Sequence, residues 1–162
     1  EGKGFPPISV LYNTQEMHKT IAEALQSMWK TRLGIDVTLT NQDWKVYLDS
    51  MQKLDYQVAR GSWIADFMDP INYLELFVSK GGNNQTGWGN AEYDKLIDAA
   101  YAEPDSTKRT QLMQQAEGVL IDEMPILPIY YYTFRYLQAE RVQGFHPNPL
   151  GYRRWKDFSL TN

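Results

Sequence analysis

The chain has 162 residues, is 43% hydrophobic and 14% aromatic, and carries a formal net charge of -4 with no cysteine. That length can bury the core of one domain and falls short of two full-sized ones. The composition excludes disulfides, thiolate metal sites and cysteine nucleophiles, offers no basic run for nucleic acid, and contains no apolar run near the ~20 residues of a membrane span.

The opening Glu1-Gly-Lys-Gly-Phe5-Pro-Pro lacks the apolar centre of an export signal, so none is expected within the chain. The chain therefore reads as cytoplasmic, as a mature protein, or as a piece of something longer. Residues 8–12 read as a strand. Asn13 with Glu16 three residues on has the form of a capping box. Met17, Ile21, Ala24, Leu25, Met28 and Leu33 then recur at helical spacing, which predicts a helix over 15–33 closed by Gly34. Residues 35–39 alternate as a second strand, and strand, helix and strand in this span make a βαβ unit with parallel strands. Asn41 and Asp43 are expected to cap a second helix through Lys53, with Trp44, Tyr47, Leu48 and Met51 on one side. Residues 56–61 alternate again, with Tyr56, Val58 and Arg60 on one face. This β-α-β-α-β order is that of an α/β domain.

Gly61-Ser62 weakens the third strand, and Trp63, Asp66, Asp69 and Pro70 follow directly. A strand that delivers Arg60, Trp63 and Asp66 into a loop has the form of a binding edge. The plainer reading is a core strand with a polar turn behind it. Pro70 belongs in the first turn of a helix carrying Tyr73, Leu74, Phe77 and Val78, with Asp69 as its cap. Residues 80–90 are a Gly- and Asn-rich loop. Asn90 should cap a helix over 91–102, with Tyr93, Leu96, Ile97 and Ala100 inward. Pro104-Asp105 restarts a helix to about residue 124, with Leu112, Met113, Ala116, Val119 and Leu120 as its stripe, ended by Pro125. Residues 126–134 are β-rich and predict a strand, extending to 137. From Glu140 the large apolar residues Val142, Phe145, Leu150, Tyr152, Trp155 and Phe158 follow no sustained period. A tail with that much aromatic surface needs something to pack against.

Few residues have the form of reactive chemistry. Asp66 and Asp69 could share a proton or hold a cation. The plainer reading keeps Asp69 as a helix cap and leaves Asp66, beside Trp63, as an anion suited to an amine. The two histidines, His18 and His146, lack metal-ligand spacing, and each reads as a surface residue. Ser62 in Arg-Gly-Ser-Trp-Ile is not a nucleophile elbow. Trp44 and Trp63 either line a pocket or pack as core and rim. No cofactor or metal is implied.

Three runs carry a family likeness: Leu11-Tyr-Asn-Thr-Gln-Glu-Met-His18-Lys, Asn41-Gln-Asp-Trp44-Lys, and Val58-Ala-Arg60-Gly-Ser-Trp63-Ile-Ala-Asp66-Phe-Met-Asp69-Pro70. In that order and spacing, and continued by Tyr93-Asp94, Ile126-Leu-Pro-Ile-Tyr-Tyr and Pro149-Leu-Gly, the chain resembles the C-terminal lobe of oligopeptide-binding proteins. These are the extracytoplasmic solute receptors of peptide ABC importers. The resemblance implies an α/β fold of the periplasmic-binding-protein type II kind, with a mixed sheet and flanking helices. Residues 1–139 would be the ligand-binding lobe, and 140–162 a tail returning to an N-terminal lobe of the parent that this chain does not contain.

It further implies a receptor, not an enzyme, that captures short peptides for a permease outside the cytoplasm, in the periplasm or as a surface lipoprotein. Asp66 matches the carboxylate that pairs with the peptide's α-amino group. Trp63 and Trp44 match pocket-wall indoles. Arg60 and His18 match positions that give positive or hydrogen-bonding character, and residues 60–66, with Gly61, Ser62 and Ile64 among them, supply main-chain groups. Met51 stands where some members carry arginine, and Ile64 replaces a smaller residue. Three rivals stay open: a receptor of the same fold for an oligosaccharide or metal chelate, a hydrolase using Asp66 and Asp69, and a fragment that binds nothing alone and self-associates through its uncovered face.

Overall fold

The strand β1 (Ile8–Asn13) lies at the centre of a parallel sheet, flanked by β2 (Val37–Gln42) on one side and β3 (Val58–Ala59) on the other. The computed structural model describes residues 2 and 4–161. It divides into two compact units: residues up to Trp63 together with Gln85–Gly87, and Ile64–Asn84 with everything from Trp88 onward.

In the first unit, α1 (Glu16–Leu33) and α2 (Trp44–Lys53) are the crossovers of the sheet. Val10, Leu11, Tyr12 and Asn13 are consecutive and all buried, so both faces of β1 are covered. Leu11, Tyr47 and Met51 form a small core, with Leu48, Tyr56 and Ala59 packed on it. Gly34 closes α1 in the left-handed conformation at φ 71°, as its placement predicts. Asp43 caps α2 by accepting from the amides of Lys45 and Val46.

Four local expectations change here. Asn13 does not cap α1, because the β1–β2 register runs on to Asn13 and Gln42 and the Asn13 side chain turns inward. Gln15 takes the cap position with no side-chain bond. Asn41 is not a cap either: it lies within β2, and its Oδ1 accepts from the Thr14 hydroxyl at 3.0 Å. The second strand starts and ends later than residues 35–39. The third is only two residues long, since the Arg60 carbonyl accepts from the Tyr47 hydroxyl at 2.6 Å and leaves the ladder.

In the second unit, α3 (Ile71–Leu74) continues as a 3-10 turn over Glu75–Phe77. The helices α4 (Ala91–Ala102) and α5 (Ser106–Glu123) pack against each other as a hairpin. Asn90 caps α4 as expected, and Asp105 caps α5, each accepting from two backbone amides. Their apolar stripes meet in one core of Ile71, Leu74, Tyr93, Ile97, Ala100, Met113, Ala116 and Leu120. Tyr93 is fully buried, and its hydroxyl donates to the Leu74 carbonyl at 2.6 Å. Burial holds that phenol above its ordinary pKa, so it stays a donor across the working range.

The strand expected over 126–137 is absent among the described residues. The segment is extended but has no ladder partner there, and Tyr131 and Leu137 are fully exposed. β-propensity alone does not make a strand without a neighbour to satisfy its amides. Beyond it, β4 (Val142–Gln143) and β5 (Ser159–Leu160) form a short antiparallel ladder of their own, separate from the parallel sheet. Tyr136, Phe145, Phe158 and Trp155 form a chain of ring contacts beside it.

Tyr93→Phe would leave the Leu74 carbonyl without its donor inside the core. In chemical denaturation it should lose about 1–3 kcal/mol of stability, and Tyr93→Ala about 3–5 kcal/mol.

Candidate functional site

In a parallel sheet, side chains that follow the strands' carboxyl ends collect on one edge. With the order β2-β1-β3, the chain leaves β1 in opposite directions, and the crevice outside the carboxyl ends at such a reversal is where open α/β sheets bind ligands. The three runs singled out in the sequence follow those ends. His18 lies in the first turns of α1 after β1, Trp44 opens α2 after β2, and Arg60, Gly61, Ser62 and Trp63 follow β3. Trp44 is exposed and stacks on the buried Tyr47, with ring centroids 5.6 Å apart at 21°. Tyr47 in turn donates to the Arg60 carbonyl, and the Arg60 amide donates to Leu11 at 2.8 Å. One aromatic pair thus fixes the backbone from which Gly61 and Ser62 emerge. Both of these are exposed, and Trp63 is partly so.

His18 departs from its expected surface position. It is 6% exposed, and its Nδ1 lies 2.9 Å from Asn13 Oδ1. Because that oxygen only accepts, Nδ1 carries the proton. Burial lowers the imidazole pKa, Arg60's charge lowers it further, and the Asn13 backbone opposes them by hydrogen bonding. His18 is therefore neutral at pH 7, and the positive charge of this edge belongs to Arg60. Met51 is also buried, in the core beneath.

In the second unit, Ile64 and Asp66 are both exposed. The turn from Asp66 to α3 is held at several points. The Asp66 amide donates to the Asn72 Oδ1 at 2.9 Å, and the Ile71 amide to Asp69 Oδ1 at 2.9 Å. Arg109 grips Asp69 with both forks, Nη1 to Oδ2 at 2.7 Å and Nη2 to Oδ1 at 3.0 Å, while its Nε donates to the Ala100 carbonyl at 3.1 Å. Arg109's hydrogen bonds hold the Asp69 carboxyl below the usual carboxylate range, against a smaller opposing effect of burial. Pro70 takes the cap position of α3, and Asp69, one residue earlier, satisfies the Ile71 amide and is also half of an ion pair. With both its oxygens taken, it is a poor candidate to share a proton with Asp66.

Asn72, Arg109 and Tyr47 were missed in the sequence. Asn72 sits among helix residues with no marker of its own, Arg109 lies 40 positions from its partner, and Tyr47 was read only as core. Among the described residues no group of three or more His, Asp or Glu could hold a metal ion, and no helix is long and apolar enough to cross a membrane.

The fold is α/β, of the kind found in periplasmic binding proteins of type II. Residues 2–85 match the family model for the middle region of bacterial extracellular solute-binding proteins, family 5. The chain belongs to that family. It is 51% identical over 140 residues to the oligopeptide-binding protein OppA of Bacillus subtilis, covering 86% of this chain and 26% of that protein. It is 44% identical over 154 residues to the dipeptide-binding protein DppE of the same organism, covering 94% and 28%. The crystal structure of Haemophilus influenzae OppA in complex with RPPGFSPFR superposes with a TM-score of 0.90 at 34% identity, covering 99% of this chain and 32% of that one. The chain therefore spans about a quarter to a third of the relatives it matches.

Two titrations check this geometry. Asp69's folded pKa is depressed, so its stabilisation is complete above the free value of about 3.9 and is lost as pH falls through the lower folded value. Asp69→Asn should cost about 2 kcal/mol at pH 7, with the gap to wild type closing at acid pH in denaturant unfolding. In NMR titration the His18 ring should change protonation below 6.5, and Arg60→Gln should move that midpoint upward.

Proposed function

We propose that this chain is part of a receptor that captures short peptides outside the cytoplasm and hands them to an ABC permease without altering them. Supporting this reading are the family membership and the likeness, over 99% of the chain, to a relative solved with RPPGFSPFR. In this reading the exposed Asp66 carboxylate holds the peptide's free α-amino group by a charge-assisted hydrogen bond. Main-chain groups of residues 60–66 pair with the extended peptide as an added strand would. Trp44 and Trp63 wall its side-chain pockets, Ile64 adds apolar surface, and Arg60 supplies positive charge. His18 acts from beneath, by fixing Asn13 at the end of β1.

The partners in this reading are the peptide, the N-terminal lobe of the parent receptor, and the permease. The tail over 140–162 returns to that lobe, which gives the exposed rings of Tyr152 and Trp155 a surface to cover.

The test compares one short peptide with its N-acetylated form by calorimetric titration of the full-length protein. Acetylation removes the charged partner of Asp66 and should weaken binding by about 3 kcal/mol, more than a hundredfold. Asp66→Asn should bring the two forms to similar, weak affinity. Equal affinity of the wild type for both forms would remove Asp66 from its role.

A further inference from the structure

Asn72 is 2% exposed, in a helix whose neighbours Ile71 and Leu74 belong to the hydrophobic core. A primary amide there is an expensive occupant, because burying polar atoms costs free energy unless each finds a partner. Its partners are specific. Oδ1 accepts the Asp66 amide at 2.9 Å, and Nδ2 donates to Glu75 Oε1 at 3.0 Å. The other carboxylate oxygen of Glu75 accepts from the Tyr101 hydroxyl. A chain of side chains thus runs from α4 through the 3-10 turn and the start of α3 to the backbone of the exposed carboxylate.

The bond matters because of where it falls. Asp66 opens a run of bends over residues 66–69 with no ladder or helix bonds of its own. Asp69 is anchored by Arg109 at the far end of that run. At the near end the Asp66 amide is held by Asn72. Fixing both ends of a short loop fixes the Cα–Cβ direction of the side chain it displays, and supporting groups of this kind decide whether a site is tight or loose.

We propose that Asn72 is a positioning residue for amine recognition: its buried amide clamps the Asp66 backbone so that the carboxylate meets a peptide's α-ammonium in one fixed geometry. This rests on the peptide-receptor reading given above. It adds that selectivity for a free amine over a blocked one is set by a residue that never touches the ligand. Asn72→Leu keeps the number and branching of the side-chain heavy atoms, leaves the Asp66 amide to rotate toward solvent, and frees the loop. Binding through the rest of the site would persist, while discrimination at the amine would fall.

The readout is the ratio of affinities for a free and an N-acetylated peptide, measured with the full-length protein. In Asn72→Leu the ratio should drop by about tenfold from the wild-type value, with affinity for the acetylated peptide little changed. A merely structural role would weaken both forms equally and leave the ratio intact. The double variant Asn72→Asp with Glu75→Gln keeps an acceptor for the Asp66 amide and reverses the donor and acceptor of the second bond. It should restore the ratio, and it serves as the test should Asn72→Leu fail to fold. A wild-type ratio of one would overturn the Asp66 reading itself. A large wild-type ratio that survives in Asn72→Leu, or that the double variant loses, would overturn the clamp alone.

Discussion

The fork of Arg109 on Asp69 is the constraint on which the exposed carboxylate loop depends. Two parallel hydrogen bonds to a partly sheltered carboxylate join residues 40 positions apart, and the guanidinium's third contact ties them to the end of α4. Arginine suits this because its planar fork matches a carboxylate in direction as well as charge. Lysine would supply the charge and lose the geometry. Once Asp69 is held, the Ile71 amide is capped, α3 starts where it does, and Asn72 faces the Asp66 backbone. The loop that shows Asp66 to solvent is thus built on bonds beneath its surface, while Asp66 itself is left exposed.

The parallel sheet does the corresponding work in the first unit. β1 pairs along its whole length with β2 and at Val10 and Leu11 with β3, and its buried residues seal both faces. What remains at the carboxyl ends is a set of loops that must satisfy themselves. Tyr47 accomplishes this for Arg60, and Asn13 engages His18. A base held this rigidly spares a bound ligand the ordering of the loops above it, an ordering that would subtract from affinity.

Most of the fold was legible in the sequence because its signals are local. Helical stripes, the Gly34 stop, and the Asp43 and Asn90 caps each act within a few residues. The expectations that failed concern groups with two possible partners. Asn13 has the side chain of a cap, but the ladder to Gln42 and the bond to His18 claim it first. Residues 126–137 have strand composition, yet a strand is a relation between two segments, and none pairs with them among the described residues. At the candidate site the exposed residues could be read from the three motifs. The residues that hold them could not, because Asn72 and Arg109 are ordinary helix residues until the tertiary structure brings Asp66 and Asp69 to them.

The proposed recognition turns on one atom pair, the peptide's α-nitrogen and the Asp66 carboxylate. A crystal structure of the full-length protein with a short unblocked peptide measures it directly. The prediction is a nitrogen-to-oxygen distance of about 2.8 Å to Asp66, with the Asp66 amide still on Asn72. A peptide whose amine lies elsewhere while Asp66 faces solvent would contradict it.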